Sequence, residues 1–233
     1  AAHHLEQSAM SSLLPAIEIA TAPAPEFAVL WFHGLGADGN DFAPAVPYLR
    51  LPPGLPVRFV FPHAPSMAVT CNGGYRMPAW YDILSADGID RQVDQAGIDT
   101  SRAAIRRLIA REVERGIPEE RIVLAGFSQG GAMAYTVGLT HPRPLAGIVA
   151  LSAYIPAPDL LVPAEMEANR ATPLFVGHGT EDDVVPLALG QRARDALMGQ
   201  AYDLTWRTYP IPHTVSEVEL ADIGAWIAGR FQH

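Results

Sequence analysis

The chain has 233 residues, 49% of them apolar and 18% charged. That is enough for one large domain with a substantial core, and too apolar for a disordered chain. A formal net charge of −9 argues against nucleic acid as the main partner, because phosphate binding needs clustered Lys and Arg. No apolar run approaches the roughly 20 residues needed to cross a bilayer, so no integral membrane segment is expected. The lone Cys71 cannot form an internal disulfide.

Residues 1–9 carry His3-His4 followed by Leu-Glu and read as a tag remnant. Residues 10–233 then form a single domain. The stretch from Met10 lacks the basic start and apolar core of a secretory signal, so cytoplasm is the expected location.

In chain order, Ile17-Glu-Ile19 reads as a short edge strand and Phe27-Ala-Val-Leu-Trp-Phe32 as the first buried one. Val57-Arg-Phe-Val-Phe61, Ile122-Val-Leu-Ala125, Ile148-Val-Ala-Leu151 and Leu174-Phe-Val176 mostly lack polar alternation, the pattern of strands covered on both faces. Leu204-Thr-Trp-Arg-Thr-Tyr209 is more mixed and belongs near an edge. Between them, Asp94 to Arg115 places Ile98, Ile105, Leu108, Ile109 and Val113 on one helical stripe and stops at Gly116-Ile-Pro118. Gly130 to Thr140 is small and apolar, the composition of a buried helix. Leu187 to Met198 and Ser216 to Phe231 follow, the last with Leu220, Ile223, Ile227 and Phe231 on one face and Ser216 as N-cap. Residues 62–82 read as a functional surface loop. Residues 152–172 carry a short helix around Glu165 and are too short for a separate cap domain. Strands alternating with helices predict an α/β domain built on a mostly parallel sheet.

The sharpest chemical signal is Gly126-Phe-Ser-Gln-Gly130, placed between a strand and a helix. This is the G-x-S-x-G pattern of a nucleophile elbow, in which a tight turn projects the serine hydroxyl above the sheet. The plainer alternative is a glycine-rich helix start that Ser128 merely caps. A serine hydroxyl is a weak nucleophile and needs a base oriented by a third group, here in the order Ser, acid, His. His141 abuts a proline at a helix end, His178 reads as a packed strand-end residue, and His233 is terminal. That leaves His213, on the loop between the last strand and the last helix. For the acid, Glu181, Asp182 and Asp183 compete, and local pattern does not rank the two aspartates; a helix N-cap is the structural alternative for Asp183. The oxyanion needs two donors: the N–H of Gln129, and that of Leu35 in the loop His33-Gly-Leu-Gly-Ala-Asp-Gly39. This loop lacks the spacing of a phosphate-binding loop. Scattered histidines and the absence of HExxH predict no metal site.

Several of these segments together resemble the phospholipase/carboxylesterase family of small α/β-hydrolases, which includes bacterial carboxylesterases, lysophospholipases and acyl-protein thioesterases. They are Phe32-His-Gly-Leu-Gly36, Pro78-Ala-Trp-Tyr-Asp82, Gly116-Ile-Pro118, Arg121-Ile-Val-Leu-Ala-Gly-Phe-Ser-Gln-Gly-Gly-Ala132, His178-Gly179 with Asp182 and Val184-Val-Pro186, and His213, in the expected order over residues 27–227. The resemblance implies an α/β-hydrolase fold without a cap domain. It selects Asp182 as the acid, three residues after the glycine of the His-Gly pair, and suggests Leu35 and Gln129 for the oxyanion hole. It also assigns the acyl pocket to Trp80, Met77 and Leu84, for which ordinary core packing is the alternative. One departure is Pro210-Ile-Pro212 in place of the family's glycine-rich approach to the histidine, which leaves the position of His213 open.

The expected activity is a serine carboxylesterase acting on small esters or acyl substrates through an acyl-enzyme, with no cofactor. Thioesters and lysophospholipids fall within the same family range, and so does a long-chain acyl-protein thioesterase. An amidase would need to protonate a poorer leaving group, an ability nothing here marks. A binding protein on a silent hydrolase fold would be expected to show a broken Ser-His-Asp set. The resemblance also allows a homodimer formed by apolar loop residues near the site.

Overall fold

The alternation of side chains along each strand decides what the helices cover. In β2 (Phe27–Phe32), Ala28, Leu30 and Phe32 face one side of the sheet and Val29 and Trp31 the other, all of them buried. A computed structural model describes residues 12–86 and 89–232. Residues 1–9 and His233 lie outside the described residues. Seven strands make one sheet in the spatial order β1 (Ala16–Ala20), β3 (Val57–Pro62), β2, β8 (Ile122–Phe127), β9 (Gly147–Leu151), β10 (Leu174–Gly179) and β11 (Leu204–Tyr209). Only β1 runs antiparallel, against β3; the other neighbours are parallel. The chain moves outward from β2 to β3 and returns to β8 on the other side of β2. The carboxyl ends of β2 and β8 therefore open side by side at a switch point, where open α/β sheets bind ligands.

On one face pack α1 (Gln95–Glu114), α2 (Gln129–Thr140) and α4 (Leu187–Met198); on the other lie α5 (Glu217–Phe231) and a short 3-10 turn at Ala43–Leu49. All twelve residues of α2 are buried, as its small apolar sequence requires. Ser216 caps α5 by accepting the Glu219 N–H at 3.2 Å. The stripe of α1 differs from the expected one at its end. Val113 faces solvent, and Glu112 turns inward instead, because Arg58 of β3 meets its carboxylate at 2.5 Å.

Residues 62–82 also differ from a plain loop. They hold an antiparallel ribbon of β4 (Ser66–Val69) and β5 (Tyr75–Pro78), turned by Gly73 and Gly74 at φ 67° and 77°. The Asn72-Gly73 step is a hairpin signal that overall Pro and Gly content obscures. A second small ribbon joins β6 (Ile83–Ser85) to β7 (Gln92–Val93), and the short helix expected near Glu165 is α3 (Pro163–Met166). Among the described residues no helix is long and apolar enough to cross a membrane.

Candidate active site

β8 ends at Phe127 and α2 begins at Gln129, so Ser128 alone makes the turn. It adopts φ 57° and ψ −121°, a conformation that costs a residue with a side chain on the order of 1–3 kcal/mol. The flanking glycines are a steric necessity. A Cβ on Gly126 would lie 2.1 Å from the Gly130 carbonyl oxygen, and one on Gly130 would lie 2.0 Å from that of Phe32. Although Ser128 occupies the N-cap position, its side chain makes no capping bond. Its Oγ lies 3.0 Å from His213 Nε2 instead.

His213 arrives from β11 through Pro210-Ile-Pro212, and backbone bonds fix this stiff approach to the neighbouring loop. Thr180 N–H donates to Tyr209 O at 2.8 Å, and Glu181 N–H to Ile211 O at 3.0 Å. His213 Nδ1 then meets Asp182 Oδ2 at 2.7 Å, while the ring packs on Phe127 with centroids 4.7 Å apart. The other carboxylate oxygen of Asp182 accepts the N–H groups of Val184 and Val185 at 2.9 and 2.8 Å. Burial raises the Asp182 pKa, but the bonds from His213 and the two amides outweigh it and hold the carboxyl below its ordinary range. Glu181 and Asp183 face solvent, and the residue capping α4 is Pro186 rather than Asp183.

The other described candidates, His178 and His141, are structural. His178 is buried in β10, its Nε2 bonded to the Val185 carbonyl at 2.8 Å, and burial lowers its pKa. Burial and Arg106 depress His141 to about 4. The end of β9 joins the two parts of the site: Leu151 O accepts the Ser128 N–H, and the Ser152 N–H donates to Gly177 O, both at 2.8 Å.

Leu35 lies in the loop after β2, whose Gly34 packs against Ser128 so closely that a Cβ there would meet the Ser128 Cβ at 3.3 Å. Among the described residues, neither the Leu35 nor the Gln129 backbone N–H is taken by a protein acceptor. Both residues line the cleft beside Ser128. The loop is braced from behind. His33 Nε2 accepts the Ala64 N–H at 3.0 Å, which leaves the Nδ1 proton for Gly34 O at 2.7 Å.

None of the expected acyl-pocket residues Trp80, Met77 and Leu84 is among the walls of the cleft beside Ser128. Trp80 is fully buried and does not reach the cleft; its Nε1–H donates to His33 O at 2.8 Å, and the ring lies against His33. The Gln129 side chain holds the same segment, accepting the Trp80 N–H and donating to Tyr81 O. Met77 pairs with Met67 inside the β4–β5 ribbon. Leu84 points outward, because strand alternation turns its neighbour Ile83 inward. The cleft, of about 260 Å³, is walled by Ile83, Arg91, Tyr154 and Val184. Arg91 and Tyr154 went unread in the sequence because nothing local marks them. No cluster of three or more potential metal-binding side chains occurs among the described residues.

A sequence model of the family described as Phospholipase/Carboxylesterase matches residues 15–229. Acyl-protein thioesterase 1 of Neurospora crassa is 43% identical over 227 residues, covering 94% of this chain and 90% of that protein. Acyl-protein thioesterase 1 of Saccharomyces cerevisiae is 38% identical over 207 residues, covering 85% and 90%. Among solved structures, Arabidopsis thaliana SOBER1 superposes with a TM-score of 0.83 at 28% identity, covering 88% of this chain and 99% of that one.

Proposed function

We propose that the chain, which belongs to the phospholipase/carboxylesterase family of α/β-hydrolases, hydrolyses short acyl esters through Ser128, His213 and Asp182. The enzyme is a serine hydrolase of the esterase and thioesterase class. The observation that carries the finer reading is the hydrogen-bonded chain from Asp182 through His213 to a strained, uncapped Ser128.

In this reading Ser128 Oγ attacks the acyl carbonyl carbon as its proton passes to His213 Nε2. Asp182 keeps the other imidazole proton on Nδ1 and stabilises the imidazolium. The negative charge on the former carbonyl oxygen falls to the Leu35 and Gln129 N–H groups. His213 then protonates the leaving alcohol or thiol. A water gives its proton to His213 and attacks the acyl-enzyme, which releases the carboxylic acid and restores Ser128. Hydrolysis of p-nitrophenyl esters from acetate to palmitate, with Ser128→Ala in parallel, tests this. Turnover lost in the variant supports it, and equal inertness of both proteins at every length overturns it.

A second reading, an acyl-protein thioesterase acting on long chains, is favoured by the names of the two thioesterase relatives. A higher kcat/KM on an S-palmitoyl peptide than on butyrate esters would bring it forward.

A further inference from the structure

A second cavity, of about 510 Å³, adjoins the catalytic cleft. Its walls are mainly apolar, with Ile155, Leu161 and Met166 on one side and Leu189 and Ala193 of α4 on the other. The two spaces share two wall residues, Arg91 and Tyr154. Tyr154 is fixed: it is buried with Val185 and Leu189, and its hydroxyl shares a 2.8 Å hydrogen bond with Tyr81. Arg91 is held differently. Its guanidinium lies over the Tyr154 ring, 5.2 Å from the centroid, and donates through Nη2 to the Val184 carbonyl. It thereby reaches across between the 152–172 connection and the loop that carries Asp182. Its buried Nε has no partner among the described residues, so the Val184 carbonyl and Tyr154 are what hold the side chain. Among the same lining residues Arg192 and Asp90 pair at 3.0 Å, both exposed.

From this arrangement we infer that Arg91 is a partition that sets acyl-chain length, and that the 510 Å³ cavity takes the distal methylenes of a long acyl chain once Arg91 is removed. The inference rests on the acyl-hydrolase reading above. The cleft alone is smaller than most ligand sites, which run from about 300 to 1,000 Å³, and suits a short acyl group. An alkyl chain passing Arg91 would have to displace a charged head from its carbonyl and ring. Beyond it, each methylene buried against the apolar wall strengthens binding by about fourfold.

The experiment compares kcat/KM for p-nitrophenyl butyrate and laurate in the native enzyme, Arg91→Ala, Arg91→Lys and Arg91→Ala/Ala196→Trp. Ala196 is an exposed residue of α4 at the cavity wall, so tryptophan there occupies the cavity without entering the core. The native enzyme is expected to favour butyrate. Arg91→Ala is expected to raise the laurate-to-butyrate ratio at least about tenfold, the equivalent of two buried methylenes, and Ala196→Trp to cancel the gain. Arg91→Lys keeps the charge but lacks the planar head that spans the ring and the carbonyl; it gives a smaller rise and serves if the alanine variant does not fold. Three results would overturn the partition: a native preference for laurate, unchanged ratios in every folded variant, or a gain that survives Ala196→Trp. An enzyme inert on both esters would instead count against the hydrolase reading itself.

Discussion

Glu219 offers a quantitative test of how the fold handles a buried charge. It sits in the first turn of α5, six residues after His213, and is fully buried. Among the described residues neither carboxylate oxygen has a side-chain hydrogen-bond partner, and a Cβ on Gly177 of β10 would lie 2.5 Å from Oε2. Burial pushes the carboxyl up to about 8 from an ordinary 4.5; the Ser216 N–H opposes this and Asp222 adds to it. The folded protein thus keeps the proton through neutral pH, while the unfolded chain releases it above about 4.5. Between these values unfolding releases a proton, so rising pH favours the unfolded state. The stabilising contribution is full below 4.5 and is lost as pH rises to about 8. At about 1.4 kcal/mol per pH unit, the interval amounts to roughly 5 kcal/mol. Glu219→Gln keeps the shape and removes the titration. Urea unfolding of both proteins at pH 5, 7 and 9 is expected to show the variant gaining on the native chain by several kcal/mol, most of it by pH 8. Parallel stability profiles, or a variant that loses ground as pH rises, would refute the reasoning.

Other outcomes follow from the geometry of the elbow and its braces. Asp182→Asn removes the acceptor that holds the His213 Nδ1 proton and is expected to lower kcat by about 10⁴-fold with little change in KM, read by steady-state ester hydrolysis. Gly130→Ala drives a Cβ to within 2.0 Å of Phe32 O and is expected to destabilise the fold by about 1–3 kcal/mol in urea and to abolish turnover. Gly229→Ala, in the last turn of α5 with nothing within 4 Å of the new Cβ, is expected to stabilise by about 0.5–1 kcal/mol in the same assay. Trp80→Phe loses the bond to His33 O behind the Leu35 loop and is expected to lower kcat about tenfold while leaving KM nearly constant; a KM effect alone would return Trp80 to the substrate wall.

The strands were legible because continuous apolar runs bounded by turns have few other uses in a chain of this composition. β11 matched its expected limits, Leu204–Tyr209, and lies at a sheet edge as its mixed pattern implied. The elbow was legible too, since its glycines answer a local steric demand. Which aspartate meets His213 was not: Asp182 and Asp183 are adjacent and alike, and only the loop geometry turns one toward His213 and the other toward solvent. The wall of the cleft was least legible. Arg91, Tyr154 and Val184 come from three distant segments, and no local pattern announces that they meet. Leu84, expected in the acyl pocket, stands one position from the cleft-lining Ile83 and so on the opposite face of its strand. Val113 failed because an ion pair with Arg58 draws Glu112 inward, a tertiary effect that outweighs hydrophobic periodicity.

β9 contributes no side chain to the Ser128–His213–Asp182 arrangement, yet its last carbonyl and the next amide connect the Ser128 turn to β10, from which the Asp182 loop leaves. The strand therefore works as a spacer: its register sets the gap across which Ser128 and His213 must meet. The 152–172 segment that leaves it continues the connection: a Cβ on Gly131 of α2 would lie 2.6 Å from that of Ala153, and Tyr154 packs with Val185 and Leu189. A one-residue slip of β9 would therefore pull Ser128 away from the loop that carries Asp182.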